Sequence, residues 1–168
     1  RNSKSILELS RKFIAEKLNA KTNEIIFTSG GTESNNMIIK SVVEAQNIER
    51  IITTKIEHKA VLNSIESISK TKKISVEYLD VDNCGNPNLK QLRNSLEKSD
   101  QMTLVSLMHI NNEIGTIINL NEYGKICRSN NALFHSDTVQ TIGHYDLDLS
   151  ATTIDFITCS AHKFHGPK

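Results

Sequence analysis

The sequence predicts an α/β domain with a mainly parallel sheet flanked by helices. Short runs rich in Val, Ile and Phe alternate along the chain with stretches in which apolar residues recur at helical spacing. This alternation is typical of strand–helix–strand units with parallel strands. Because such sheets bind ligands beyond the carboxyl ends of their strands, the polar residues that follow each strand are the first candidates for a site.

The first three elements are separated by turn residues. Leu9 and Phe13 recur at helical spacing, which predicts a helix over residues 3–18. The short apolar run at residues 23–29 predicts a strand. A pair of glycines follows it, and the apolar periodicity beyond that pair predicts a helix over residues 32–46.

The middle of the chain repeats this order twice. Residues 50–55 predict a strand and residues 58–69 a helix, because an Ile-rich run is followed by apolar residues at helical spacing. Residues 74–82 predict the next strand, which leads into a turn rich in Asn and Gly. The helix over residues 89–98 is predicted to begin at Asn88, which has a capping side chain.

The last third contains three predicted strands and one helix. The apolar run at residues 102–110 predicts a strand, and a polar loop separates it from a helix over residues 120–130. Residues 132–137 and 154–160 are apolar runs that predict the last two strands. No internal repeat or low-complexity tract interrupts the series.

Composition is that of an ordinary globular domain with a core of its own. The 168 residues are 38% hydrophobic and 23% charged, and the net charge is +1. This balance argues against nucleic-acid or membrane-surface partners, and no apolar run is long enough to span a bilayer. The chain begins without Met and ends in a Gly-Pro turn, so we expect it to be a segment of a longer protein.

Cysteines and histidines do not predict a disulfide framework or a metal site. Cys84, Cys127 and Cys159 are far apart and odd in number, which favours a reducing, cytoplasmic setting. His162 and His165 are close in sequence but have no acidic third ligand nearby, so no metal ligands are predicted. The G-x-S-x-G turn expected of a Ser-His-Asp hydrolase is absent.

Polar side chains follow five of the predicted strands. The stretches are "SGGTES" at 29–34, "KIEHKA" at 55–60, "HINNEIG" at 109–115, "SDTVQ" at 136–140 and "SAHK" at 160–163. A single polar stretch after a strand is expected by chance, because loops are generally polar. Five that converge on one edge of a sheet indicate a site.

Each of these stretches has an ordinary reading beside the functional one. The glycines and Thr32 of "SGGTES" could form a tight turn, or a phosphate site at a helix N-terminus. Asp137 could cap a turn or hold a cationic group. His58 could cap a helix, or stack on a ring and transfer protons. Lys163 could be a solvated surface residue, a phosphate ligand or a nucleophile.

Together these groups are what pyridoxal phosphate requires. A phosphate cradle, a carboxylate for the ring nitrogen, a stacking histidine and a Schiff-base lysine are all present. The motifs "FTSGGTESNN", "EHKAVL", "HINNEIGTI", "HSDTVQTIG" and "SAHKFHGPK" occur in order, and with them the whole chain resembles the NifS/IscS-like cysteine desulfurases of the class V aminotransferase family. The resemblance implies the large cofactor-binding domain of the fold-type I enzymes.

The resemblance implies a role for each residue around the ring. Lys163 would carry pyridoxal phosphate as a Schiff base, and Asp137 would pair with the pyridinium nitrogen. Gln140 would bond the phenolic oxygen of the ring. His58 would stack on the ring and shuttle protons. Asn112 would contact the oxygen side of the ring and the substrate carboxylate.

The phosphate and the domain boundaries are also implied by the resemblance. Gly31, Thr32, Ser160 and His162 would hold the phosphate. Residues 1–168 would be most of the large cofactor-binding domain, with an N-terminal segment, a small C-terminal domain and a catalytic-cysteine loop outside this chain.

The implied reaction converts L-cysteine to L-alanine and leaves the sulfur on an enzyme cysteine as a persulfide. That sulfur would serve the synthesis of iron–sulfur clusters or thio-cofactors, with a scaffold or sulfur-acceptor protein as partner and a homodimer as the assembled form. The family's catalytic cysteine lies on a loop well past the lysine. None of Cys84, Cys127 and Cys159 matches that position, so none is assigned as the nucleophile.

Three other functions stay open at this point. A selenocysteine lyase or another class V aminotransferase would share this half of the site, and the missing loop separates them from a desulfurase. A cysteine there would favour desulfurase chemistry, whereas an arginine clamp without cysteine would favour transamination. A non-catalytic fragment with the same fold would be expected to lose Lys163 or Asp137, and both are present.

Overall fold

The computed structural model describes residues 2–166, in which helices and strands alternate. The helices are α1 Asn2–Leu18, α2 Gly31–Ala45, α3 Lys59–Lys72, α4 Leu89–Glu97 and α5 Leu120–Ser129. The strands are β1 Arg50–Thr54, β2 Ser75–Leu79, β3 Thr103–Ser106, β4 Leu133–Asp137 and β5 Phe156–Thr158. Two 3-10 helices, Thr22–Glu24 and Ala161–Phe164, are also formed. Within residues 2–166, no helix is both long and apolar enough to cross a membrane.

The five strands form one sheet in the order β2-β1-β3-β4-β5, and every neighbouring pair is parallel. This confirms the predicted α/β class with a mainly parallel sheet. Parallel strands end at the same edge of a sheet. The last residues of β1, β3, β4 and β5 therefore lie along one edge, and they are Thr54, Ser106, Asp137 and Thr158. Asp137 is directly opposite Thr158 in the ladder between β4 and β5.

Two apolar layers cover the faces of the sheet. Ile51 and Leu104 belong to the layer that the sheet forms with α2 and α3. Val105 and Phe134 belong to the layer with α4 and α5. Consecutive residues of one strand therefore face opposite layers, and both layers exclude water. Each such side chain stabilises the fold by about 1.5–3 kcal/mol.

The predicted strand at residues 23–29 is wrong. Residues 22–24 form a 3-10 helix, and the residues from Ile25 to Thr28 are in no strand. Ile26 is 66% exposed, and Phe27 lies beneath the Arg11 guanidinium, 4.9 Å from the ring centroid. A strand requires a hydrogen-bonded neighbour, and no strand among the described residues pairs with this segment.

The first helix forms where its periodicity predicts, but its apolar face does not join the core. Ile6, Leu9 and Phe13 are each at least 60% exposed. The last turn is buried in the domain, where the Leu18 carbonyl accepts from the Leu149 amide at 3.0 Å, and Arg11 contacts the segment that follows the first 3-10 helix. Helix α1 therefore presents an apolar surface to the outside of this chain.

Candidate active site

One cavity of about 280 Å³ opens at the carboxyl edge of the sheet. All nine residues that the sequence predicts for the site line it, namely Gly31, Thr32, His58, Asn112, Asp137, Gln140, Ser160, His162 and Lys163. Asn35, Ala60, Met108 and Val139 complete its wall. A larger and shallower hollow of about 640 Å³, beside α4, contains none of the predicted residues.

The N-terminus of α2 forms one end of the cavity. Its N-cap residue is Gly30, which has φ +155° and provides no capping side chain. A Cβ on Gly31 would lie 2.9 Å from Val139 Cγ2, so any larger residue here would displace Val139, which lines the cavity. The first amides of a helix lack intrahelical acceptors and carry partial positive charge. This end of the cavity therefore favours an anionic group.

Asp137 also lines the cavity, at the last position of β4, and is only 5% exposed. Its Oδ1 accepts from the Val139 amide at 3.0 Å, and its Oδ2 accepts from Asn35 Nδ2 at 2.8 Å. Burial raises the pKa of the carboxyl, while these hydrogen bonds and the charge of His58 lower it. A cation placed against Asp137 would relieve the cost of burying the carboxylate.

Asn35 is a site residue that the sequence analysis missed. It is fully buried on α2, and besides donating to Asp137 it accepts from Thr158 Oγ1 at 2.8 Å. The side chain thus joins α2, β4 and β5 and fixes the orientation of the carboxylate. The available signal was its position one helical turn after Gly31, which puts both residues on the face of α2 toward the site.

His58 is the N-cap residue of α3, and its Nδ1 accepts from the Ala60 amide at 3.1 Å. In the neutral ring the proton is therefore on Nε2. The cap fixes one edge of the imidazole, while the exposed ring forms part of the cavity wall. The capping and functional readings of His58 are compatible, because the cap orients the ring.

Lys163 lies on the 3-10 helix that follows β5. Its amide donates to the Ser160 carbonyl at 3.0 Å, and its carbonyl accepts from His144 Nε2 at 2.8 Å. Ser160 Oγ and His162 Nδ1 are also hydrogen-bonded, at 2.9 Å. The backbone of Lys163 is therefore fixed on both sides. Among residues 2–166, no hydrogen-bond or ion-pair partner is found for its ammonium group.

Gln140 and Asn112 come from the loops that follow β4 and β3. Gln140 is half-buried in the cavity wall, and Asn112 is exposed at its mouth. The loop that carries Asn112 is fixed by Asn111, whose Oδ1 accepts from the amides of Glu113 and Ile114 at 2.9 and 3.1 Å. Both amide side chains thus extend into the cavity from ordered turns.

None of the three cysteines lines the cavity. Burial raises the pKa of the Cys127 thiol to about 12, with a smaller contribution from Asp155. Burial, and then the charge of Asp137, raise the pKa of Cys159. Both are therefore poor thiolates. Cys84 is exposed on the turn between β2 and α4.

Comparisons with known proteins agree with this geometry. The family profile described as aminotransferase class-V matches residues 1–168. The cysteine desulfurase IscS of Clostridium botulinum is 44% identical over 168 residues, which are 99% of this chain and 42% of that protein. The mitosomal cysteine desulfurase of Trachipleistophora hominis is 44% identical over 170 residues, covering 99% of this chain and 38% of its own length.

Solved structures show the same fold. A NifS-like protein superposes with a TM-score of 0.90 at 41% identity, over 96% of this chain and 44% of that one. SspA in complex with cysteine superposes with a TM-score of 0.90 at 31% identity, over 99% of this chain and 48% of that one. The chain thus spans less than half the length of the relatives it matches. With a family match over all of its residues, the chain belongs to the class-V aminotransferase family.

Proposed function

We propose that this chain is most of the pyridoxal-phosphate-binding domain of a longer cysteine desulfurase, which converts L-cysteine to L-alanine and passes the sulfur to an enzyme cysteine. The observation that carries the proposal is the single cavity lined by all nine predicted residues. The chain covers only 42% of the length of the Clostridium protein. This supports the proposal that it belongs to a longer enzyme with further domains.

The residues of the cavity fit both the phosphate and the ring of the cofactor. The glycine-rich N-terminus of α2, with Thr32, Ser160 and His162, would hold a phosphate group. Asp137, buried and oriented by Asn35, would hold the protonated ring nitrogen. Lys163 is also part of the cavity wall, and its ammonium group has no partner among the described residues.

Bound pyridoxal phosphate would supply an electron sink for bond cleavage at the substrate α-carbon. The chain's own residues orient the reactants and handle protons. His58, with a proton on Nε2, would lie against the ring and move protons beside it. Gln140 would donate to the phenolic oxygen, and Asn112 would orient the substrate carboxylate. Lys163 would hold the cofactor through Nζ.

Cysteine as the substrate is supported by the solved relative SspA, whose structure was determined in complex with cysteine. The sulfur would leave on a cysteine outside this chain, because the pKa values of Cys127 and Cys159 are raised and none of the three thiols lines the cavity. We further propose a cytoplasmic homodimer that delivers sulfur to an iron–sulfur scaffold or another acceptor protein.

The proposal is tested by locating the cofactor. The longer protein should be yellow, and borohydride should leave a pyridoxyl group on Lys163 that mass mapping identifies. Lys163→Ala should abolish this adduct. Lys55→Ala, directly after β1 but outside the cavity, is the matched control and should leave it unchanged. An adduct on another lysine, or none, would overturn the assignment.

A further inference from the structure

The turn that carries His58 is tied to the end of β3 by two hydrogen bonds. Glu57 Oε1 accepts from the Met108 amide at 2.8 Å, and the Ile56 carbonyl accepts from Asn111 Nδ2 at 2.9 Å. The two residues that precede His58 are therefore both fixed to the segment that leads into Asn112. The position of the His58 ring depends on these contacts.

Glu57 is an unusual residue for this place. It is 6% exposed, and its Oε2 is buried without a hydrogen-bond partner among the described residues. It forms no ion pair within residues 2–166. Lys55, two residues away in sequence, instead lies over the Tyr78 ring, 5.9 Å from its centroid. An ionised carboxylate is very costly to bury under these conditions, so the group is expected to be neutral.

Of the groups around Glu57, Asp137 adds to this cost, whereas the hydrogen bonds from Met108 and Thr54 reduce it. Asp137, across the site on β4, is the titratable group that acts on it, and its negative charge opposes a second one. Thr54 of β1 and the Met108 amide provide hydrogen bonds but no positive charge. Burial first, and Asp137 with it, raise the pKa of Glu57 to about 8.

We propose that Glu57 is a positioning residue of this site, which holds the His58 turn against the end of β3 as an uncharged carboxylic acid. With Glu57 neutral, Asp137 is the one charged carboxylate at the cavity among residues 2–166, so a ring nitrogen bound there would have a single anionic partner. The role of His58 in this inference rests on the proposed function. The uncharged state of Glu57 does not.

The charge state is tested by infrared spectroscopy of the longer protein. At pH 7 the wild type should show the carbonyl stretch of a protonated carboxylic acid that is missing in Glu57→Gln. The band should be lost as the pH is raised through about 8. Glu97→Gln, which changes an exposed glutamate on α4, is the matched control and should retain the band. Absence of the band from the wild type at pH 7 would overturn the uncharged state.

The positioning role is tested by kinetics. Glu57→Gln keeps an oxygen that can accept from Met108 and should retain kcat within about threefold. Glu57→Leu removes that acceptor and should lower kcat by roughly tenfold to a hundredfold with a smaller change in KM. The wild type should lose activity above about pH 8, as Glu57 ionises, and Glu57→Gln should not.

A double-mutant cycle separates failure of this inference from failure of the proposed function. If Glu57 acts through His58, Glu57→Leu should have little further effect in a His58→Gln background. Full activity of a folded Glu57→Leu variant, or simple additivity with His58→Gln, would overturn the positioning role. Full activity of His58→Gln alone would instead overturn the role of His58 in the proposed function.

Discussion

The Asp137 carboxylate has the orientation and the charge needed to bind a cationic group. The hydrogen bonds from Asn35 and Val139 hold both oxygens, yet burial still raises the pKa of the carboxyl. The carboxylate is thus oriented but incompletely neutralised. A protonated ring nitrogen would complete its environment, and the same interaction would raise the pKa of that nitrogen.

Asp137→Asn should therefore retain the cofactor but lose most of the turnover, by about tenfold or more, because a neutral amide cannot keep the ring nitrogen protonated. Steady-state kinetics and the visible spectrum of the longer protein measure the two effects. A modest loss of stability is also expected, because an Asn side chain has one acceptor oxygen, so either the Val139 amide or Asn35 Nδ2 would lose its acceptor. Activity within about twofold of the wild type would contradict the role of Asp137.

His135 provides a second prediction at the residue scale. The ring is fully buried, its Nδ1 is 2.9 Å from Ser106 Oγ, and burial lowers the pKa to about 3. Between pH 6.5 and 3 the unfolded chain binds a proton that the folded chain does not. Stability is therefore lost as the pH falls through this range, by at most about 1.4 kcal/mol per pH unit.

Urea unfolding between pH 6.5 and 4 measures this loss. The free energy of unfolding should fall less steeply with acidification in His135→Asn than in the wild type. His165→Asn, which changes an exposed histidine, should follow the wild-type slope. Parallel curves for wild type and His135→Asn would show that burial of this ring does not control the acid sensitivity.

At the scale of elements, the connection between β4 and β5 supports the turn that carries Lys163. Gly143 has φ +85°, and a Cβ there would overlap the Cβ and ring of Phe164. His144 donates to the Lys163 carbonyl from the same connection. The lysine is therefore positioned by a loop distant from it in sequence as well as by its own turn.

Gly143→Ala should destabilise the fold and weaken cofactor binding, since the new methyl group displaces Phe164 and with it Lys163. Gly115→Ala is the matched control, because Gly115 has φ +75° but no atom within 4 Å of the added Cβ. Both variants carry the backbone cost of about 1–2 kcal/mol, and only Gly143→Ala adds overpacking of roughly 1–3 kcal/mol. Equal cofactor affinities, measured by fluorescence titration, would contradict this support.

The sequence predicted most elements because their periodicity and local signals agree. Asn88, for example, caps α4 as predicted by accepting from the Gln91 amide at 3.0 Å. The strand at 23–29 failed because strand formation depends on a partner that periodicity does not contain. Asn35 and Glu57 were missed because their importance comes from contacts made across the fold, at Asp137 and Met108.

At the scale of the whole molecule, this chain presents apolar surface that a complete protein would be expected to cover. The exposed face of α1 carries Ile6, Leu9 and Phe13, and β2 and β5 are the two edges of the described sheet. Exposed apolar patches and unpaired strand edges promote association. We expect the other parts of the longer enzyme, or its second subunit, to occupy these surfaces.

The isolated chain should therefore associate and should not turn over cysteine. Sulfide and alanine assays with L-cysteine and a reductant should show no multiple turnover, because no positioned thiolate is present to accept the sulfur. Sedimentation should show association that Leu9→Lys reduces. Alanine release with multiple turnovers would contradict the prediction, and Cys159 would then be the first thiol to substitute.

The bridge that Asn35 forms between Asp137 and Thr158 also has a consequence for the order of events in folding. Its two hydrogen bonds join residues 102 and 123 positions apart in the sequence. Closing such long loops carries an entropic cost, so we expect these contacts to form late in folding. We therefore expect the carboxylate to acquire its final orientation only once β5 is available to bind Asn35 through Thr158. Ligand binding at this cavity should then require that the sheet is complete.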